Sequence, residues 1–351
     1  MDVLNLLENV AKEGASDIFV VAGRPLSYKL NGMIKTIGEK MMPDNTTEFV
    51  SKIYELADNR DISQLADDGD DDFSFAIPGV SRFRINAYKQ RGSYAAVIRI
   101  ITFFVPNPQL LNIPNQIIAL SEKKKGFILV TGPADCGKST TLACMIDSIN
   151  SSRPAHIVTL EDPLEYLHPH KMSIVSQREI ATDTDSYITA LRASLRQSPD
   201  VILLGEMRDY ETMSVAMTAA ETGHLVLSTL HTIGASNTID RIIDAFPASQ
   251  QRQISIQLSM VLQAVVSQQL LPTVDGNVIP AFEVMTLTPA IRNMIRESKI
   301  HQLDGVIAAS SADGMILMDS SIINLYKTGR ISKKTALAYA TNPEIMERKL
   351  N

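Results

Sequence analysis

Gly132-Pro133-Ala134-Asp135-Cys136-Gly137-Lys138-Ser139-Thr140 stands between the apolar run Phe127-Ile128-Leu129-Val130 and the helix-like Thr141-Leu142-Ala143-Cys144-Met145-Ile146. A strand, a glycine-bounded turn and a Lys-Ser pair opening a helix form the P-loop arrangement. Its chemistry is anion capture. Backbone N–H groups of the turn and the helix N-terminus point at phosphate oxygens, Lys138 adds a point charge, and the Ser139 hydroxyl can hold Mg²⁺. At ordinary residue frequencies the pattern G-x4-GK[ST] arises by chance in a chain of this length about one time in a hundred. The strand-to-helix context lowers that further. The stretch is therefore read as a nucleotide site rather than an ordinary strand-to-helix turn, with all nine residues from Gly132 to Thr140 as its lining.

The chain around it has 351 residues, enough for two domains with a sizeable core. Its 45% hydrophobic and 21% charged content is that of a soluble globular protein. A net charge of -6 argues against a dedicated nucleic-acid binder, so no nucleic-acid partner is expected. No window approaches the about 18 apolar residues of a membrane span, and the start, Met1 to Glu8, lacks the basic region of a signal peptide. A cytoplasmic location is expected. The two cysteines, Cys136 and Cys144, cannot by themselves build a four-ligand zinc site, and a disulfide between them has little support.

Residues 1 to about 104 read as an α+β domain. Asp2 to Glu13 has Val3, Leu6, Leu7 and Val10 at helical spacing, with Gly14 at its end. Ile18–Val21 and Leu26–Leu30 are strand-like, Asn31-Gly32 reads as a hairpin turn, and Thr46–Asp58 suggests a helix. The acidic run Asp67-Asp68-Gly69-Asp70-Asp71-Asp72 is most simply a solvated loop, with a metal site as the alternative. Phe73–Ile77, a Pro78-Gly79 turn, Arg82–Lys89 and Ala95–Thr102 follow as a strand meander. Val105-Pro106-Asn107-Pro108, with Pro114 beyond, marks a linker over 105–116. From 117 to 351 apolar strands alternate with helical stretches: Phe127–Thr131, Ile157–Leu160, Val201–Leu204 and Leu225–Thr229. Such runs fit a mostly parallel sheet covered on both faces. From about 288 the chain reads as helical. Thr288-Pro289 supplies an N-cap with proline at the first helical position, and Met315–Tyr326 and Ser332–Tyr339 follow.

Each of the four core strands ends in a polar signature. After the P-loop come Glu161-Asp162-Pro163, then Gly205-Glu206-Met207-Arg208-Asp209, then His231-Thr232. In open α/β sheets ligands bind outside the carboxyl ends of the strands. Hydrolysis of a bound triphosphate needs a Mg²⁺ ion, a group that orients or deprotonates water, and positive charge at the transferring phosphate. Glu206 has a Walker-B-like position and could hold Mg²⁺ through water; Glu161 is the better candidate base. His231 could contact the γ-phosphate or report its loss, though a satisfied loop histidine reads as well. Arg82 and Arg84, two apart on one strand, share a face, and Arg99 follows on the next. Arginine grips phosphate through two donors, so these three are candidate arginine fingers, with exposed strand arginines as the alternative.

These residues resemble the secretion ATPases of type II secretion and type IV pili, and within them the PilT-type pilus retraction ATPases. Gly14-Ala15-Ser16-Asp17 and Ser81-Arg82-Phe83-Arg84-Ile85-Asn86 resemble N-terminal domain motifs of that family. Thr159-Leu160-Glu161-Asp162-Pro163-Leu164-Glu165 is similar to its aspartate box, Gly205 to Asp209 to its glutamate-type Walker B, and Thr222-Gly223-His224 through Leu230-His231-Thr232 to its histidine box. Pro289 to Glu297 is close to a C-terminal motif associated with retraction. The resemblance spans nearly the whole chain. It implies an α/β fold: an N-terminal PAS-like α+β domain followed by a RecA-like P-loop ATPase domain with a helical C-terminal extension. It also implies Glu161 as base, Glu206 near Mg²⁺, Arg82, Arg84 and Arg99 as nucleotide-sensing arginines, and ATP as substrate. The expected assembly is a homohexamer at the cytoplasmic face of the inner membrane that powers pilin removal. An inner-membrane pilus platform protein and a related retraction ATPase are its implied partners. Assembly-type relatives carry further N-terminal domains and a four-cysteine zinc element, and this chain has neither.

The P-loop departs from the family's Gly-Pro-Thr-Gly-Ser-Gly-Lys-Ser at Ala134, Asp135 and Cys136. A carboxylate within a few ångströms of a polyphosphate is repelled by roughly 1 to 4 kcal/mol per charge pair, about tenfold or more in ATP affinity. Asp135 pointing to solvent would remove most of that cost. The two readings that follow are a Mg²⁺-dependent motor ATPase, and a weakly active or inactive P-loop subunit that regulates an active paralogue. A DNA-translocating hexamer is a third, disfavoured by the net acidity.

Overall fold

The computed structural model describes residues 2–30, 33–101 and 105–350. The contacts divide the chain into two units, Met1–Phe104 with Glu165–Leu167, and Val105–Leu164 with His168–Asn351.

In the first unit, helix α1 (Val3–Lys12) is capped by Asp2, whose side chain accepts from Asn5 N, and it buries Val3, Leu7 and Val10. Strands β1 (Asp17–Val20), β2 (Pro25–Leu30) and β3 (Met33–Lys40) precede helices α2 (Pro43–Leu56) and α3 (Ser63–Asp68). Strands β4 (Asp70–Ile77), β5 (Ser81–Gln90) and β6 (Ser93–Ile101) complete the unit. The strands form one sheet in the order β3-β2-β1-β6-β5-β4, antiparallel throughout. Its core packs Leu26, Ile53, Leu65, Phe83, Ile85 and Ile98, all fully or almost fully buried. The expected Asn31-Gly32 turn and Thr102, at the end of the expected last strand, lie outside the described residues.

The acidic run is not a loop. Asp67 and Asp68 end α3, Gly69 caps it at a φ of 89°, and Asp70 to Asp72 open β4. The strand alternates exposed and buried positions, which turns Asp71 inward. Asp71 is 2% exposed. Its carboxylate accepts from Arg60 Nε at 3.0 Å, Arg60 Nη2 at 2.9 Å and the Tyr54 hydroxyl at 2.9 Å. The Arg60 guanidinium also lies over the Phe73 ring, 5.0 Å from its centroid. A buried carboxylate persists when several donors replace its water, and a two-pronged arginine does this best. Among the described residues no cluster of three or more His, Cys, Asp or Glu is placed to hold a metal ion, so the metal alternative for this run has no support.

In the second unit, α4 (Asn115–Ala119) precedes β7 (Gly126–Thr131), α5 (Lys138–Ser152), β8 (His156–Glu161) and β9 (Ile174–Glu179). Then come α6 (Tyr187–Ser194), β10 (Val201–Leu204), α7 (Tyr210–Glu221) and β11 (Leu225–Leu230). Helices α8 (Ala235–Asp244) and α9 (Ala248–Val261) lead to β12 (Leu262–Pro272) and β13 (Val278–Thr286). The seven strands are ordered β13-β12-β7-β11-β10-β8-β9. Only β13 runs antiparallel to its neighbour. The inner strands β7, β10 and β11 are buried along their whole length, because helices cover both faces of a parallel sheet. A helical stretch closes the chain: α10 (Pro289–Arg296), α11 (Leu303–Ala309), α12 (Met318–Lys327), α13 (Lys333–Tyr339) and α14 (Pro343–Leu350). Thr288 caps α10 with Pro289 in its first turn, and Ser332 caps α13. Glu283, buried on β13, accepts from Ala235 N at 2.6 Å and Met318 N at 3.2 Å, so one carboxylate caps the starts of both α8 and α12. Among the described residues no helix is long and apolar enough to cross a membrane.

Candidate functional site

The four strands whose ends carry polar signatures are neighbours, in the order β7-β11-β10-β8. They are parallel and in register, Gly126 beside Leu225, Leu225 beside Val201, and Val201 beside Ile157. Their carboxyl ends therefore share one edge of the sheet. Short ties fasten that edge: Gly132 N to Leu230 O at 3.2 Å, Gly205 N to Leu160 O at 2.8 Å, and Thr229 Oγ1 to Gly205 O at 2.6 Å.

After β7 the chain turns tightly into α5. Gly132 has a φ of 143°, and a Cβ built there would lie 2.1 Å from Gln268 O and 2.7 Å from Cys136 Sγ. Gly137 has a φ of 87°, and its Cβ would meet Gln268 Nε2 at 2.9 Å. Both glycines of the motif are thus required by close approach as well as by backbone angle. Lys138 opens α5 and is 8% exposed. Its ammonium donates to Pro133 O at 2.6 Å and Gly132 O at 3.0 Å, within the loop itself. Ser139 and Thr140 follow in the first helical turn, half-buried. The turn and the helix start bring backbone N–H groups close to a buried cation, an arrangement that fits phosphate oxygens.

Asp135 adopts a φ of 57°, in the left-handed region that aspartate enters more readily than most side chains. It and Ala134 are exposed, whereas Cys136 is buried. Burial pushes the Cys136 thiol up despite Lys138 beside it, and pushes Cys144 up to about 11. Neither cysteine is in a disulfide.

Glu206 and His231 come together. Glu206 Oε2 lies 3.2 Å from His231 Nε2, and Glu206 Oε1 accepts from Arg208 Nε at 2.7 Å. Burial pushes the Glu206 carboxyl up, but the hydrogen bonds from Arg208 and His231 outweigh it and hold the group below the usual carboxylate range. The Arg208 guanidinium is stabilised in return by Glu206. Glu161 ends β8 and is half-buried. In register beside it on β9 stands Glu179, itself 6% exposed. Gly205 lets the two strand ends close up, since a Cβ there would meet the Tyr187 hydroxyl at 2.9 Å and Glu161 Cα at 3.4 Å. Burial, then the charges of Asp162, Glu206 and Glu161, push the Tyr187 phenol well up, so it stays protonated among carboxylates. His224 lies at the opposite end of β11, where Nδ1 meets Ala219 O at 2.8 Å and finishes α7.

The arginines Arg82, Arg84 and Arg99 belong to the first unit. Arg84 and Arg99 are register partners on β5 and β6, and Arg82 lies two residues along the same face. Arg82 Nη2 donates to Ser74 Oγ at 2.6 Å, and Arg99 Nε to Asp17 Oδ1 at 3.3 Å. They form one basic row.

The sequence reading missed Arg208 as a partner of Glu206, Tyr187, and above all Gln268. Arg208 carried a signal in its two-residue spacing from Glu206. Gln268 sits on β12, a strand that no apolar run announced, and is 3% exposed. Its Nε2 donates to Cys136 O at 2.7 Å, and its Oε1 accepts from Thr141 Oγ1 at 2.7 Å.

Comparison with known proteins agrees with this layout. Residues 2–309 match the type II/IV secretion system protein family. The chain is 42% identical over 344 residues to the type IV pilus retractation ATPase PilT of Pseudomonas aeruginosa, covering 98% of this chain and 99% of that protein. It is 48% identical over 276 residues to a twitching motility protein of Neisseria gonorrhoeae, covering 78% of this chain and 74% of that one. A crystal structure of the pilus retraction motor PilT with bound ADP superposes with a TM-score of 0.89 at 42% identity, over 99% of both chains. The fold is an N-terminal α+β domain followed by a RecA-like domain with a helical C-terminal part. On these grounds the chain belongs to the type II/IV secretion system protein family.

Proposed function

We propose that the chain is a Mg²⁺-dependent ATPase that powers type IV pilus retraction as a subunit of a homohexameric ring. The observation that supports this reading is that β7, β11, β10 and β8 are neighbouring parallel strands that end at or lead into the P-loop, His231, Glu206 and Glu161, in a chain similar to PilT along nearly its whole length. Residues 1–104 would form the PAS-like domain, 105–116 the linker and 117–351 the ATPase domain.

In this reading the amides of Gly132 to Thr140 and the Lys138 ammonium bind the phosphates of ATP. The Glu161 carboxylate takes the proton of the attacking water as its oxygen bonds to the γ-phosphorus and the bridge to ADP breaks. The hydroxyl of Ser139 and the ionised carboxylate of Glu206 are hard oxygen donors of the kind Mg²⁺ prefers. Mg²⁺, when bound, would offset the charge of the phosphates. His231, held to Glu206, would sense the state of the γ-phosphate, and Arg82, Arg84 and Arg99 would supply further positive charge. Binding at the cytoplasmic face of the inner membrane to a pilus platform protein, together with a related retraction ATPase, completes the proposal.

Similarity to PilT along nearly the whole chain favours an active motor over an inactive regulatory subunit. The charge on which that reading rests, Asp135, is exposed, and its repulsion of a phosphate is screened by water. Steady-state ATP hydrolysis by the purified chain, with and without Mg²⁺, tests the proposal. Lys138→Ala and Glu206→Gln should each lower turnover by about a hundredfold or more. Wild-type turnover no higher than that of these variants would refute it. A twitching assay in a deletion strain complemented by the chain tests the retraction step separately.

A further inference from the structure

A glutamine amide in the middle of a buried strand is costly unless both its ends are paired. Gln268 satisfies both, and both partners belong to the phosphate loop and the first turn of its helix. Nε2 holds Cys136 O and Oε1 holds the Thr141 hydroxyl, each at 2.7 Å, across separations of 132 and 127 residues. A methionine of similar volume would fill the same space with no polar group to satisfy.

In a trans peptide the carbonyl and the following N–H point in opposite directions. Holding Cys136 O toward Gln268 therefore aims Gly137 N–H away from β12. Gly137 sits at a φ of 87°, and a glycine leaves its peptide free to rotate unless something fixes it. The Gln268 amide is a side-chain donor to Cys136 O. The backbone of Gln268 adds a second constraint, since its carbonyl oxygen lies where a side chain on Gly132 would stand. The same strand holds two other elements through adjacent residues: Ser267 Oγ accepts from Gly234 N at 2.9 Å, and Gln269 Nε2 donates to Tyr339 O at 3.3 Å.

We propose that Gln268 is a positioning residue for nucleotide binding, a clasp that orients the Cys136–Gly137 peptide so that the Gly137 amide is presented to phosphate before any ligand arrives. The inference rests on the nucleotide-binding reading given above and deepens it. Both polar ends of the Gln268 amide are taken up by the loop and its helix. Its effect passes through the loop, so its loss should weaken binding far more than turnover of bound substrate.

The test uses the full-length chain with a fluorescent ADP analogue as probe, and steady-state ATP hydrolysis alongside. Gln268→Met should weaken ADP binding about tenfold and raise KM for ATP by a similar factor. Its kcat should stay within about threefold of wild type, and its thermal midpoint should show that the variant is folded. Hydrogen exchange of the 133–141 segment should become faster in the variant, with less protection on adding ADP. Binding within about twofold of wild type in a folded Gln268→Met variant would overturn the proposal, as would a loss confined to kcat. If that variant does not fold, Thr141→Val decides, since it removes the other end of the clasp at nearly constant volume. Weaker ADP binding by about threefold or more supports the clasp, and wild-type binding overturns it. A wild-type chain that binds no ADP would instead refute the nucleotide reading, and the clasp with it.

Discussion

Asp71, on β4 of the first unit, is 2% exposed and takes hydrogen bonds from Arg60 and Tyr54, whereas Asp135, in the phosphate loop of the second, is exposed at a φ of 57°. Both lie among residues whose local sequence suggests the reverse. One sits in an acidic run, where water is the natural neighbour; the other sits in a loop shaped for anions, where a carboxylate is the natural intruder. A carboxylate's surroundings follow from the direction of its Cα–Cβ bond. On β4 the two-residue alternation turns Asp71 inward with Phe73 and Phe75. In the loop, the left-handed backbone at Asp135 leaves the side chain in solvent.

The largest effect expected is at Asp71. Asp71→Ala leaves Tyr54 and the two-pronged face of Arg60 without their acceptor, and should destabilise the chain by about 2 to 3 kcal/mol. Arg60 is partly exposed and can turn to water, which keeps the figure below that of a fully enclosed pair. Urea unfolding followed by circular dichroism measures it, and a loss below about 1 kcal/mol would mean that water, not Arg60 and Tyr54, solvates Asp71.

Glu283 is a buried carboxyl group served by backbone N–H groups. Burial raises its carboxyl above the ordinary glutamate value, against the pull of the Ala235 and Met318 amides. Because the folded value is the raised one, the contribution of this group to stability is full below the unfolded pKa and is lost as pH rises through the folded one. Unfolding free energies of wild type and Glu283→Gln should therefore diverge as pH rises through the carboxylate range, wild type losing ground as its buried carboxyl ionises. Parallel pH profiles would remove Glu283 as the source.

Asp135→Gly should change ADP affinity by no more than about threefold, the screened interaction of an exposed charge. A gain of tenfold or more would put the carboxylate against the phosphates and restore the regulatory-subunit reading. The smallest effect is expected one residue along. Burial keeps the Cys136 thiol protonated at neutral pH, so alkylation by iodoacetamide at pH 7 should be far slower than for a free thiol. Rapid modification would show that the loop opens readily.

What the sequence disclosed depended on whether a residue's neighbours in space were also its neighbours in the chain. The apolar runs of β7, β8, β10 and β11 declared themselves, because a strand buried on both faces needs no partner to explain its composition. Local caps such as Thr288 and Ser332 were legible for the same reason. Strand β3, exposed along nearly its whole length, carries no alternation to find. The opening of β4 was hidden because Asp70, Asp71 and Asp72 read as solvated charge until Arg60, eleven residues away, accounts for the middle one. At the site, Glu161, Glu206 and His231 were visible as polar endings to apolar strands. Gln268 was not, since its meaning lies in Cys136 and Thr141, more than a hundred residues upstream.

The Lys138 ammonium, bonded to Pro133 O and Gly132 O, makes the loop its own competitor. An arriving anion does not meet a bare cation; it must displace two carbonyl oxygens already in place. A small singly charged ion would gain little by that exchange, whereas a polyphosphate would add the loop amides to its side of the equilibrium. For the nucleotide proposed above, the loop would therefore discriminate by ligand length as well as by charge.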